Sequence, residues 1–263
     1  MDYQTLQCAV ASGIGTIRMN RPQVRNAFNE NMIAELTQAF RAMDADAQVR
    51  AVVLAAEGPA FCAGADLNWM KKMAGYGPEE NRADAMQLAA MLNTIYRMRK
   101  PTLARVHGAA FAGGMGLVAA CDIALAAEEA EFCLSEVKLG LTAATISPYV
   151  VAAVGERNAR RYFLTAERFP AAEALRIGLV HGVMSAAQLD AGVDALLAHF
   201  LAASPAAIAA SKELIRRVAH GAIDADMIAD TAARIAAART SPDGKEGIRS
   251  FLEKRKPAWS RPR

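Results

Sequence analysis

With 263 residues, of which 53% are hydrophobic and 22% charged, the chain has the make-up of one large globular domain; a disordered or membrane-spanning chain is excluded. Its formal net charge of +3 is spread along the sequence and supplies no basic tract of the kind nucleic acid demands. The four cysteines, Cys8, Cys62, Cys121 and Cys133, make no C-x-x-C pair and no zinc spacing with histidine. Free thiols in a reducing compartment are expected.

Residues 6–10 and 14–19 are β-type runs around a glycine turn, predicting a hairpin. Residues 29–44 carry Met32, Ile33, Leu36, Ala39, Phe40 and Met43 at helical spacing. A short buried strand is expected at 51–55, a glycine-bearing loop at 57–66, and a helical stretch resuming at 79–98 that stops before Pro101. Residues 102–107 read as a strand, and 108–116 as a glycine-rich turn that feeds an apolar helix ending near Cys121. A strand follows at 122–127. From about Pro148 helices dominate, interrupted by a strand-like run at 179–184, with Ser204-Pro205 and Ser241-Pro242 as helix starts. The pattern predicts an α/β core over 1–200 and an α-rich region over 201–263.

Met1-Asp2-Tyr3-Gln4 resembles neither a secretory signal nor an organellar presequence, so a cytoplasmic location is expected. No apolar run approaches the roughly 20 residues of a membrane span. Gly13-Ile14-Gly15 precedes a strand and lacks the third glycine of a dinucleotide fingerprint. Phosphate-loop, serine-hydrolase and zincin signatures are absent from the sequence.

Two segments carry chemistry. Phe61-Cys62-Ala63-Gly64-Ala65-Asp66-Leu67 and Val106-His107-Gly108-Ala109-Ala110-Phe111-Ala112-Gly113-Gly114-Met115-Gly116-Leu117 each follow a strand and feed a helix. That places backbone NH groups at helix N-termini, where partial positive charge gathers. Two such turns face to face would hold a developing oxyanion, each donor contributing about 3 kcal/mol in the transition state.

These segments, with Asn20-Arg21-Pro22, Asn26-Ala27-Phe28, Ala119-Ala120-Cys121-Asp122-Ile123, Glu136-Val137-Lys138-Leu139-Gly140, residues 172–180 and Phe251-Leu252-Glu253-Lys254-Arg255, resemble the successive signatures of the enoyl-CoA hydratase/isomerase (crotonase) family. They run in the family's order over almost the whole chain. The resemblance implies a ββα superhelix with a C-terminal helical trimerisation region. It implies a thioester oxygen held by the NH groups of Ala63 and Gly113, and an acyl-CoA site to which Arg25, Ala27, Ala65, Asp66, Leu67, Gly114 and Gly116 contribute. Phe251 and Lys254 would reach the CoA of a neighbouring subunit in a homotrimer or dimer of trimers. CoA arrives with the substrate, and no separate cofactor or metal is implied.

Hydratases of the family usually hold water between two glutamates. Here Glu136 matches the later one and Gly116 stands at the earlier position. Glu136 must then act alone, either hydrating a 2-enoyl-CoA or moving a proton between carbons as a Δ3,Δ2-enoyl-CoA isomerase. A non-catalytic acyl-CoA-binding protein is the third reading. The stretch from Leu134 to Phe169 resembles bacterial hydratases of 3-methylglutaconyl-CoA and γ-carboxygeranoyl-CoA, which favours hydration of a branched chain. Gly116 is expected to leave room for a β-methyl group. Lys71, Lys72 and Arg82 are candidates to face a distal substrate carboxylate.

Overall fold

In a computed structural model describing residues 3–260, the chain opens with the antiparallel hairpin β1 (Leu6–Ala11) and β2 (Ile14–Met19), turning on left-handed Ser12 and Gly13. Asn29 caps α1 (Glu30–Ala45) by accepting the Met32 NH at 2.9 Å, and all six apolar residues expected on one face are buried.

The chain then repeats a unit of one strand in a first sheet, one short strand in a second sheet, and helix. The units are β3 (Ala51–Ala56) and β4 (Ala60–Cys62) with α2 (Leu67–Met73) and α3 (Pro78–Arg97); β5 (Thr102–Val106) and β6 (Ala109–Phe111) with α4 (Gly113–Ala120); and β7 (Ile123–Ala127) and β8 (Glu131–Cys133) with α5 (Ser147–Thr165). There follow β9 (Phe169–Pro170), α6 (Ala171–Arg176), β10 (Gly182–Met184), α7 (Ala186–Ala202), α8 (Pro205–Val218), α9 (Ala225–Thr240) and α10 (Pro242–Leu252).

The first sheet has six strands in the order β1-β2-β3-β5-β7-β10 and is parallel from β2 onward. The second has four, β4-β6-β8-β9. This is the α/β superhelix expected, with helices at its C-terminal end. Strand β3 explains the middle of it. Val52, Leu54 and Ala56 join the main core with Leu36 and Phe40, whereas Ala51, Val53 and Ala55 pack on Leu189 and Val193 of α7. A strand covered on both faces reads as an unbroken apolar run.

Ser204 and Ser241 cap α8 and α10, each accepting an NH three residues on at 3.0 Å. An ion pair made by a buried lysine ties α8 to the sheet. Lys212 Nζ donates to Asp122 Oδ2 at 2.6 Å and to the Lys100 carbonyl at 2.8 Å, and the same carboxylate oxygen accepts the Thr102 NH at 2.7 Å. Burial pulls the Lys212 amine below its usual range and the Asp122 charge opposes that. Asp122→Ala should therefore cost about 3 kcal/mol, read by urea denaturation, because it strands a buried ammonium.

Candidate active site

The turn between β2 and α1 contains two consecutive left-handed residues, Arg25 (φ 54°) and Asn26 (φ 55°). Asn26 is wholly buried, and its carboxamide closes the turn. Its Oδ1 accepts the Arg21 NH at 2.8 Å, and its Nδ2 donates to the carbonyls of Glu57 and Ala60, both at 2.8 Å. The turn so fixed meets the residues after β4. Ala63 NH donates to the Arg25 carbonyl at 3.0 Å, Phe28 NH to Gly64 O at 2.7 Å, and Asp66 NH to Phe28 O at 2.8 Å.

That pattern corrects one expected donor. The Ala63 NH is committed to Arg25 and is not free to hold a substrate oxygen. In the parallel bridge between Phe28 and Ala65, the neighbours Gly64 and Asp66 make the bonds, so the Ala65 NH points the other way. It donates to no acceptor among the described residues.

Asp66 is occupied as well. Its carboxylate caps α2 by accepting the Asn68 NH at 2.8 Å and pairs with Arg21 at 2.9 Å. Burial works to raise its pKa, but the Arg21 and backbone NH bonds outweigh that and hold the carboxyl below its usual range. Arg21 also donates to the Ala27 carbonyl at 2.6 Å, so buried Ala27 is held in place within this turn.

On the facing turn, Ala112 NH donates to the Cys133 carbonyl at 2.8 Å, which brings the start of α4 against the end of β8. Ala112 itself adopts φ 46° and ψ −118°, a conformation that favours glycine. The next two residues have no space for a side chain. A Cβ on Gly113 would lie 2.5 Å from Phe28 Cε2, and one on Gly114 would lie 2.5 Å from the Cys62 carbonyl oxygen. A Cβ on Gly64 would come within 3.2 Å of the Ala112 methyl. The two turns are thus pressed together. Gly113, the first residue of α4, has an NH with no acceptor among the described residues.

Glu136 follows the strand end to which the Ala112 turn is bonded. It lies three residues beyond Cys133, at the start of a single 3-10 turn, Glu136–Leu139. Its Oε2 is buried and has no hydrogen-bond partner among the described residues. Burial pushes its carboxyl above the ordinary value of 4.5, while its own backbone NH partly holds it down. The turn is tied off where Lys138 Nζ donates to the Ala166 carbonyl, at 2.7 Å, at the end of α5.

Other expected residues are placed elsewhere. Gly116 does not open a space: a Cβ there would fall 2.3 Å from Ile146 Cγ2, and Ile146 is buried. The room for a β-methyl group assigned to Gly116 is already filled. Leu67 is 74% exposed at the start of α2. Phe251 is 82% exposed and Lys254 is exposed and left-handed just past α10, a helix that packs on α9. Lys72 pairs with Glu30 and Arg82 with Glu79, all at the surface, and Lys71 is exposed.

Two free NH groups on the facing turns, and a half-buried carboxylate with one unpartnered oxygen just beyond the strand end that one turn bonds, suit an enzyme that moves a proton at a carbon next to a carbonyl. Residues 9–262 match the family described as Enoyl-CoA hydratase/isomerase. A crystal structure of an enoyl-CoA hydratase from Shewanella pealeana is 43% identical with a TM-score of 0.95, covering 97% of this chain and 96% of that one. An enoyl-CoA hydratase of Alternaria alternata is 33% identical over 97% of this chain and 82% of its own length. The peroxisomal Delta(3,5)-Delta(2,4)-dienoyl-CoA isomerase of Arabidopsis thaliana is 30% identical over 98% of each chain. The chain belongs to the enoyl-CoA hydratase/isomerase family, a family of enzymes.

Two stability measurements test this geometry. Since burial raises the folded pKa of Glu136, the side chain favours folding only while protonated. That contribution is complete below the ordinary 4.5 and is lost as pH rises through the folded value. Glu136→Gln should accordingly raise the melting temperature at neutral pH, with the gain fading as pH falls toward 4.5. Relief of backbone strain should make Ala112→Gly more stable by about 1 kcal/mol in chemical denaturation.

Proposed function

We propose that this protein adds water across the 2,3 double bond of a short branched 2-enoyl-CoA, giving the 3-hydroxyacyl-CoA. The observation that carries the reading is the half-buried Glu136 carboxylate, with one oxygen buried and unpartnered, on the segment after the β8 end that the Ala112 turn bonds, together with the free NH groups of Ala65 and Gly113. Those NH groups hold the thioester oxygen as it becomes an enolate. Glu136 takes a proton from water as its oxygen bonds to C3, then returns that proton to C2. The raised carboxyl pKa matches a group that must both accept and donate.

Support for a branched chain is the likeness of residues 134–169 to branched-chain hydratases; the fold around Gly116 adds none. The enzyme works as a trimer or dimer of trimers in the cytoplasm, with Phe251 and Lys254 turned toward a neighbouring subunit's CoA. Their exposure in the single chain fits that role.

A Δ3,Δ2-enoyl-CoA isomerase is the second reading, favoured by the similarity to the plant dienoyl-CoA isomerase and by the lone carboxylate. There Glu136 would move a proton from C2 to C4 and no water would enter. The two are separated by offering 3-methylglutaconyl-CoA and a 3-enoyl-CoA in oxygen-18 water. Hydration labels the product, whereas isomerisation leaves it unlabelled. In either case Glu136→Gln should lower kcat about a hundredfold or more. Unchanged turnover in that variant would remove Glu136 from the mechanism.

A further inference from the structure

The Glu136 carboxylate stands on a segment with little to hold it. No residue of the 3-10 turn Glu136–Leu139 is buried, and Val137, Leu139 and Leu141 are exposed. The backbone bonds of the turn are local: Lys138 NH donates to Ser135 O at 3.1 Å, Gly140 NH to Val137 O at 3.2 Å, and Leu141 NH to Glu136 O at 3.1 Å. Such bonds keep the shape of the turn without tying it to the rest of the fold. Among the described residues, one side-chain hydrogen bond leaves the segment 135–142, from Lys138 Nζ to the Ala166 carbonyl at 2.7 Å.

Its acceptor is fixed. Ala166 is wholly buried and ends α5 in a left-handed conformation (φ 48°), where the helix no longer supplies its carbonyl with a donor. The same oxygen accepts Cys133 Sγ at 3.4 Å, and the Cys133 carbonyl takes the Ala112 NH at the start of α4. A cation at the end of a helix is also favoured by the partial negative charge gathered there. Lys138 thus links the Glu136 turn to the end of α5 and, through Cys133, to the turn that bears the free Gly113 NH. Its part is not electrostatic tuning, since burial raises the Glu136 carboxyl and only the residue's own NH opposes this.

We propose that Lys138 is a positioning residue for proton transfer: its bond to the Ala166 carbonyl holds the Glu136 carboxylate in a set place relative to the turns that supply the free NH groups. The inference rests on Glu136 as the acid/base, a role that hydration and isomerisation share. Lys138 itself touches no reacting atom and acts through the turn it tethers.

Lys138→Met keeps most of the side chain's length and removes the donor, and Lys138→Arg restores one. For each, kcat, KM and the pH profile of kcat/KM are measured with 3-methylglutaconyl-CoA and with a 3-enoyl-CoA, alongside the melting temperature. In Lys138→Met, kcat should fall about tenfold or more while KM stays within about twofold of the parent. The acid limb of the profile should move down toward 4.5, because a loosened turn admits water to the carboxyl and removes the burial that raises it. Lys138→Arg should return both quantities toward the parent. A Lys138→Met protein that melts lower but keeps the parent's kcat and acid limb assigns the lysine to stability alone and overturns the proposal. An arginine variant no better than the methionine one overturns it as well. A parent inert toward both thioesters, or unchanged turnover in Glu136→Gln, removes the role of Glu136 and that of Lys138 with it. A parent that needs Glu136 but is indifferent to Lys138→Met sinks this inference alone.

Discussion

The buried carboxamide of Asn26 is the constraint on which the rest of the site hangs. A primary amide removed from water costs several kcal/mol unless its groups are paired, and here one oxygen and one nitrogen meet three backbone groups. Those bonds join the turn before α1 to the loop between β3 and β4. Once they are made, the Arg25 carbonyl and the Phe28 backbone are aimed at residues 63–66. Phe28 then fills the space beside Gly113, and Gly64 rests against Ala112. Placement of both free NH groups thus follows from one side chain that touches neither.

Two carboxylates at this junction show how neighbours, more than burial, decide what an acid does. Asp66 is the more deeply buried by exposed area, yet Arg21 and helix-start NH groups keep it ionised. Glu136 has only its own NH, and desolvation prevails. The first is a structural cap and the second a group with proton affinity to use.

Much of this was legible in the sequence because it depends on local pattern. The hairpin, α1, the strands of the first sheet and the Ser-Pro helix starts all came from periodicity or capping chemistry. The second sheet did not, since β4, β6, β8 and β9 have three residues or fewer and show no alternation to read. The glycine segments pointed to the two turns that the fold presses together. Which NH was free could not be read, because Ala63 is claimed by a carbonyl from a distant turn and only the Phe28 bridge singles out Ala65. Likewise a glycine at 116 suggests space until Ile146 is placed against it.

Every strand pairing of the first sheet beyond the hairpin is parallel; the first crosses over through α1 and each later one through a short strand and a helix. Such contacts are distant in sequence, so loop-closure entropy opposes them until late in folding. The junction of Ala65, Gly113 and Glu136 draws on three successive crossovers. The three segments therefore meet only once all three crossovers are closed, and no shorter fragment of the chain contains the junction.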